Sequence, residues 1–382
     1  MLQLPHSNGC ELPLQAFLNA AARGKLDMVQ WALGQRCGWR EIVCKAAATG
    51  GSLSILHWAR ANGCPWDVTT CSEASGAGHL DIVKWARFGN CFWDSRTCSN
   101  AAGGGHMDIL RWARAHGCAW AETTCSSASG AGHLDILEWA RSNNCPWDSR
   151  TCSQAAGGGH LHILQWVRAR HCPWDASTCR AAAESGHLDI LQWARSQQCP
   201  WDNGTCSKAA RRGHLGVLQW ARANGCPWDH LTCSSAAEGG HLELLQWARA
   251  NGAPWGSIVT YQAAAGNHFE LLQWARAQGC PWHPHACMAA ISNGQLNALQ
   301  CILASGCDLP IDTGYAASRM GHLHILEWVW RTSYVCLNAS IFTGTAVGSH
   351  LSVLQWARTN GCPWDSRICS EAAGRGAFDM LR

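Results

Sequence analysis

Tryptophan recurs at a fixed interval along this chain of 382 residues. Ten tryptophans from Trp31 to Trp274 are spaced 27 residues apart, and a second series with the same spacing runs from Trp39 to Trp282. Most of the 24 cysteines share this period. Self-similarity at one fixed period is typical of repeat architectures, so we expect a linear stack of about thirteen similar units rather than one closed core.

One unit reads WDxxTCSxAAxxGHLDILQWARANGCP and divides into helix, turn and helix. Asp67 and its equivalents can cap the first helix, because a short carboxylate accepts the free amides of a first helical turn. The second helix follows Gly78, carries an apolar stripe that includes Leu80 and Ile82, and ends at an Asn-Gly pair that Pro often follows. The unit predicts an all-α solenoid of helical hairpins with essentially no β-strand.

The segment AAxxGHLDILQWARANGC resembles the second half of an ankyrin repeat, AAxxGHLEIVKLLLxxGA, with Trp in a core Leu position. The resemblance covers nearly the whole chain and implies an ankyrin-like superhelix whose short first helices line a concave groove. Ankyrin repeats usually have about 33 residues and include a β-turn finger between helix pairs. Here only two residues separate the Asp of WD from the helix Thr, and TPLH has become TCS. The resemblance therefore implies the helix stack but not binding through fingers.

Repeat quality varies along the single array that we predict for residues 1–382. Residues 44–282 are regular, whereas residues 283–350 are degenerate: Cys301 and Leu309 replace tryptophans, and residues 333–335 replace the usual turn. The degenerate repeats could form a partner-specific patch, but loss of constraint is the favoured interpretation. Residues 8–10 match the end of a preceding unit, and the final GAFDMLR ends inside a unit, so the chain could be a fragment.

Charge and hydropathy restrict the partners and the compartment. The chain has 29 Lys and Arg against 26 Asp and Glu, so no strong global field attracts nucleic acid or an anionic membrane. We therefore predict neither of these partners. Since the start MLQLPHSNGC lacks a basic and apolar leader and no run of 18 apolar residues occurs, we predict a cytoplasmic protein that is not secreted, with the nucleus as an alternative.

Cysteine and histidine are frequent enough to require a test as metal ligands. Structural zinc sites usually place two ligands about two to four residues apart, whereas this chain repeats Cys-x6-Cys and has no CxxC. We predict core thiols, packing or hydrogen-bonding histidines, no metal ion and no cofactor. A thiol-rich metal or redox buffer is the less favoured alternative.

Tryptophan and arginine form two further ladders. Trp85 and its equivalents fall on the apolar stripe of the second helix, so we predict core residues rather than platforms on which bases or sugars stack. Arg87 and its equivalents stand two residues after a Trp and could follow phosphates. Because Asp recurs with the same period, solvated Arg–Asp neighbours are the favoured interpretation.

The repeated pattern offers no basis for catalysis, because a catalytic site needs unlike residues that converge once. We predict a non-catalytic, monomeric scaffold that binds another protein through the concave groove. A substrate-recruiting adaptor of the ubiquitin-ligase type and a host-directed effector are alternatives.

Specificity must come from positions that the core does not dictate, namely the pair after WD and the exposed part of the first helix. The partner-binding residues predicted in this way are Arg96, Arg150, Glu184, Lys208, Arg211, Arg212, His230 and Glu238. Lys208, Arg211 and Arg212 form a locally basic segment, for which we predict an acidic segment of the partner.

Overall fold

A computed structural model of the chain describes residues 14–34, 40–332, 339–348 and 350–362. These residues form 26 α-helices in consecutive pairs and no β-strand, so the all-α prediction is confirmed. Three predicted features lie outside the described residues: the partial repeat units at residues 8–10 and 376–382, and the altered turn at residues 333–335. No helix among the described residues is long and apolar enough to cross a membrane.

Each pair consists of a first helix, which contains the TCS segment in regular repeats, and a second helix, which contains the LQW segment. The first helices are α1 Leu14–Ala22, α3 Arg40–Thr49, α5 Val68–Gly76, α7 Ser95–Gly103, α9 Glu122–Ala131, α11 Ser149–Gly157, α13 Ala176–Ser185, α15 Asn203–Arg211, α17 His230–Gly239, α19 Ile258–Ala265, α21 Ala286–Ser292, α23 Thr313–Arg319 and α25 Ala339–Gly348. The second helices are α2 Leu26–Gly34, α4 Leu53–Ala61, α6 Leu80–Phe88, α8 Met107–Ala115, α10 Leu134–Ser142, α12 Leu161–Ala169, α14 Leu188–Ser196, α16 Leu215–Ala223, α18 Leu242–Ala250, α20 Phe269–Ala277, α22 Leu296–Ala304, α24 Leu323–Arg331 and α26 Leu351–Thr359.

The chain divides into two compact units, Met1–Pro200 and Trp201–Arg382. Within each unit the first helices of neighbouring pairs pack extensively on one another, whereas the second helices contact each other little. Small residues permit this close packing of first helices. A Cβ atom added at Gly76 would lie 3.3 Å from Cβ of Asn100, and one added at Gly130 would lie 3.2 Å from Cβ of Gln154.

An aspartate caps the start of most first helices in the regular repeats. Asp148 has extended backbone dihedrals, and its carboxylate accepts the amide of Arg150, which is two residues into the helix. Asp67, Asp94, Asp175 and Asp229 make the equivalent bond. The N-cap prediction is confirmed at these positions, because the carboxylate replaces a hydrogen-bond partner that the first turn lacks.

Glycine and histidine together make the turn between the two helices of a pair. Gly78 has φ +84°, a conformation that only glycine adopts readily, and a Cβ there would lie 2.6 Å from the imidazole of His106. His106 Nε2 donates to the carbonyl of Gly76 at 3.2 Å, 30 residues earlier in the chain. The hydrogen-bonding role predicted for this histidine is confirmed, and the bond connects neighbouring repeats.

The core runs between the two rows of helices. In α6 the buried residues are Ile82, Val83 and Ala86, and they are fully inaccessible to solvent, as are Cys71 and Ala74 of α5. Burial of one such aliphatic side chain stabilises the fold by about 1.5–3 kcal/mol. Since the same set recurs in each regular repeat, the stack is stabilised evenly along its length.

Candidate binding surface

In each unit, the partly exposed positions of the first helices form a surface that we call the first-helix face. In α5 these positions are Thr69, Glu73, Gly76 and the adjoining Ala77, and equivalent residues follow at intervals of 27. The intervening residues of α5 point inward and are buried. The face therefore presents about four side chains per repeat on a backbone that repeats closely, and only these side chains change from one repeat to the next.

Polar contacts between neighbouring first helices hold this face in the first unit. The Asn100 amide donates to the carbonyl of Ser72 at 3.0 Å, and the hydroxyls of Ser99 and Thr123 lie 2.7 Å apart. Lys45 and Glu73 form an ion pair at 3.4 Å between α3 and α5. Because these bonds connect one helix to the next, the face is ordered before any partner binds.

Three of the predicted partner-binding residues lie in the first unit. Arg96 and Arg150 are exposed near the starts of α7 and α11, and each pairs with its own capping aspartate, at 3.0 Å to Asp94 and 2.7 Å to Asp148. Glu184 is half-buried near the end of α13. The two arginines therefore carry a positive charge that a neighbouring carboxylate already reduces.

The other five predicted residues lie in the second unit. Lys208, Arg211 and Arg212 are at the C-terminal end of α15, and His230 and Glu238 are at the two ends of α17. The structure brings Arg211 and Glu238 together in an ion pair of 2.6 Å, with about half of the Arg211 side chain exposed. The basic segment predicted from sequence thus lies against an acidic residue of the next repeat.

The recurring arginines of the second helices have a structural role that sequence analysis missed. Arg141 stacks on the ring of Trp147, with 4.0 Å from its guanidinium carbon to the ring centroid, and its Nη1 donates to the carbonyl of Cys145. We call this arrangement the Trp–Arg clip. It recurs in Arg60–Trp66, Arg87–Trp93, Arg114–Trp120, Arg168–Trp174, Arg222–Trp228, Arg249–Trp255 and Arg276–Trp282.

Carbonyl and aromatic partners replace the Arg–Asp neighbours expected from sequence. Among the described residues, none of the eight clip arginines forms an ion pair with an aspartate. The expectation of solvated Arg–Asp neighbours is wrong, because the turn after the second helix brings its own carbonyl and the Trp of WD to the guanidinium. A matching period alone does not place two side chains together.

Tryptophans of successive repeats pack in pairs. Trp120 and Trp139 meet edge to face with ring centroids 5.8 Å apart, and Trp66 with Trp85 at 5.3 Å. Both members of each pair are half-buried rather than fully enclosed, which differs from the predicted core position of Trp85. The wide separation of second helices explains the difference, since it leaves one side of each ring open. A shallow cleft of about 380 Å³ beside Trp255 and Trp274 has this origin.

The described cysteines are free thiols, and all are buried except Cys301 and Cys307, which are half-buried. Burial raises the pKa of Cys44 and of Cys233 to about 12. The contact with Cys118, together with burial, raises the pKa of Cys98. This pairing across 20 residues went unnoticed in the sequence. Burial therefore favours the protonated thiol at Cys44 and Cys233, which suits core packing, whereas the contact with Cys98 lowers the pKa of Cys118.

Metal ligands do not cluster in the described part of the chain: no group of three or more His, Cys, Asp or Glu side chains is arranged to hold an ion. Several recurring histidines donate instead to backbone carbonyls of the preceding repeat, as in His241 to Arg211 and His268 to Glu238, both at 3.1 Å. The residues present therefore support a structural role for the recurring histidines.

Comparison with known proteins gives structural neighbours only. No family model matches the chain, and no curated protein matches it. Among solved structures, the chain is similar to the pentatricopeptide repeat protein PPR10 in complex with an 18-nt psaJ RNA element, at 14% identity and TM-score 0.40 over 96% of this chain. This chain spans 65% of the length of that one. The human ASB11 ankyrin repeat domain matches at 15% identity and TM-score 0.37, over 46% of this chain and 96% of that domain.

These neighbours correct one prediction. Two of the PPR10 structures are complexes with an 18-nt RNA element, so the prediction that nucleic acid is not a partner is wrong as an exclusion. It rested on the net charge of the whole chain, which is a sum and says nothing about how charges are distributed over a helical stack. The coarser prediction of a helical repeat solenoid stands.

Proposed function

We propose that this chain is a non-catalytic scaffold of finger-less ankyrin-like repeats that binds another protein through its first-helix face. Supporting this proposal is the contrast between a repeated core and a varied face. Cys71, Ala74 and Ile82 recur almost unchanged at their equivalent positions, whereas the position of Glu73 does not. The equivalents of Glu73 are Asn100, Ser127, Gln154 and Ala181 in the first unit and Lys208, Ser235 and Gln262 in the second.

This variation carries the proposal because the backbone beneath it is uniform. The first helices from α5 to α17 have nine or ten residues and begin at the same place in the repeat. A partner therefore meets side chains at regular spacing on a rigid support, and rigid presentation lowers the entropy cost of binding. Specificity then depends on which side chain occupies each position.

The basic end of α15 is where we propose that an acidic segment of the partner binds. A partner carboxylate there competes with Glu238 for Arg211 and adds contacts to Lys208 and Arg212. Exchange of one carboxylate for another gains little affinity and mainly sets orientation and association rate. We therefore expect a clear salt dependence of the association rate at this end of the face.

Affinity capture from native cell lysate with paired variants tests the proposal. R211E/R212E reverses two charges on the first-helix face, and Q219E/Q246E adds the same type of charge to exposed positions of second helices in the same unit. We expect captured proteins to be lost from the first variant and kept by the second. If every captured protein remained bound to R211E/R212E, the proposed surface would be rejected.

A nuclease arm separates protein binding from nucleic-acid binding. The neighbours solved with RNA make this arm necessary, so the capture is repeated after treatment of the lysate with RNase and DNase. We expect the same proteins in both samples. Loss of all captured proteins after nuclease treatment would show that nucleic acid, and not protein, is the direct ligand.

A further inference from the structure

Two phenylalanines in the first unit are large apolar side chains that lie mostly exposed to solvent. Phe88 ends α6 with 75% of its surface exposed, and Phe92 follows in the turn with 77% exposed. The other regular repeats place Ala or Ser at the first position, and Pro or Ala at the second, as Ala169 and Pro173 show. Large exposed apolar groups on a soluble fold mark interaction sites more often than chance.

A ring from the next pair of helices packs against Phe88. The Phe88 ring lies edge-on to Trp112 of α8 with centroids 6.3 Å apart, and Trp93 contacts the same indole at 5.8 Å. His116 stacks on Trp112 at 4.2 Å with an angle of 26° between the planes. The Phe88 ring therefore lies at the edge of a packed aromatic cluster, which limits its freedom before binding, and Phe92 follows four residues later in the turn.

Two cations flank this cluster at positions where later repeats carry Glu or Gln. Lys84 of α6 and Arg111 of α8 replace residues equivalent to Gln165 and Gln192. Neither cation forms an ion pair among the described residues, although Asp81 and Asp108 stand one turn earlier on the same helices. The guanidinium carbon of Arg111 lies over the Trp139 ring, 5.8 Å from its centroid.

We propose that Lys84, Phe88, Phe92, Arg111, Trp112 and His116 form a second binding surface, the α6–α8 patch, for an acidic segment of another protein that carries apolar side chains. Phe88 and Phe92 contact the apolar side chains, and Lys84 and Arg111 pair with the Asp or Glu residues beside them. Charge complementarity selects this occupant, because the two extra cations come with the two extra aromatic rings and nowhere else in the regular repeats. The patch lies on second helices and is separate from the first-helix face.

The regular repeats supply substitutions that remove the patch without disturbing the fold. In K84Q/F88A/F92P/R111Q each new residue is one that other regular repeats carry at that position, as Gln165, Ala169, Pro173 and Gln192 show. The equivalent substitutions 81 residues further along, with Q197H added for His116, are Q165K/A169F/P173F/Q192R/Q197H, and they place a second copy of the patch on α12 and α14. Loss and gain of binding can therefore be compared between two variants of the same chain.

A random 12-residue peptide library, selected on the wild-type chain and counter-selected on K84Q/F88A/F92P/R111Q, provides the probe. We expect enriched peptides that combine Asp or Glu with Phe, Leu or Trp. For one such peptide, F88A/F92P should weaken binding by about 30-fold or more, as expected for aromatic hot spots. K84Q/R111Q should weaken it by about fivefold and reduce its salt dependence. The grafted chain should bind two peptides instead of one.

Four outcomes would overturn the assignment. The first is a failure of the library to yield peptides that prefer the wild-type chain, and the second is enrichment of basic peptides. The third is binding of an 18-nucleotide single-stranded RNA that F88A/F92P abolishes, which would assign the patch to nucleic acid. The fourth is a wild-type dimer in sedimentation that becomes monomeric in F88A/F92P, which would assign it to a second copy of the chain.

Discussion

Regular and degenerate repeats differ in their ends and not in their core. The first helix α11 has nine residues and a capping Asp148, whereas α21 and α23 have seven residues each and begin two positions later in the repeat. Neither of these shorter helices has a side-chain bond at its N-cap. A missing cap bond does not by itself shorten the helix, because α9 keeps ten residues and the regular start with Ala121 at its N-cap.

The Trp–Arg clip is also missing from the first degenerate repeat. Cys301, Leu303 and Leu309 stand where the preceding repeat has Trp274, Arg276 and Trp282. The apolar stripe of α22 nevertheless stays buried through Ala298, Leu299 and Ile302. The buried stripe is therefore sufficient for the helical hairpin, while caps and clips add stability to the turns.

Truncation of the buried apolar stripe should destabilise the chain most, and the loss should be equal in regular and degenerate repeats. L164A in α12 and L299A in α22 each remove a fully buried side chain, so we expect a loss of about 2–5 kcal/mol in either case. Urea denaturation followed by hydrogen exchange of the affected pair measures the loss. A markedly smaller loss for L299A would show that the degenerate region does not share the core.

Removal of one clip should have the next largest effect. R141A loses a stacked cation and a bond to the Cys145 carbonyl, and we expect a cost of about 1–3 kcal/mol. R150A is the matched control, because Arg150 is exposed and pairs only with Asp148, so its cost should stay below about 1 kcal/mol. Equal costs in thermal denaturation would refute a structural role for the clip.

Removing or adding one N-cap bond should change the free energy of unfolding by about 1 kcal/mol. D148A removes the bond to the Arg150 amide and should destabilise the chain by about that amount. Ala121 holds the cap position of α9 with the same extended backbone, so A121D should add the missing bond and stabilise the chain. Slower hydrogen exchange at the start of α9 would be the sign of success, and no change would mean that the cap position alone does not fix the helix start.

The smallest effect should be a pH dependence of one cap. Bonds from the Thr69 hydroxyl and amide lower the pKa of Asp67 below its ordinary value of 3.8. A lowered folded-state pKa stabilises the fold above the unfolded pKa, and this stabilisation is lost as pH falls through the folded value. Below about pH 4 the melting temperature should therefore fall more steeply for wild type than for D67N. Parallel curves would rule out this contribution.

Sequence predicted the local structure well because caps and stripes depend on residues within one repeat. Asp148 before its helix and Ile82 on its stripe are examples. The clip and the Cys98–Cys118 contact were missed because they depend on the path of a turn and on the neighbouring repeat. Phe88 and Phe92 depart from the repeat consensus, which is visible in the sequence. Their exposure to solvent, which suggests a binding role, follows from the packing of α6.

Footprinting of a captured complex tests the central claim, that a protein partner binds the first-helix face, most directly. Hydroxyl-radical or lysine-labelling protection is compared between the free chain and the nuclease-treated complex. The account predicts protection of first-helix positions such as Lys208, Arg212 and His230, with Gln219 and Gln246 on the second helices unchanged. Protection confined to those second-helix positions, or a complex that does not survive nuclease treatment, would contradict it.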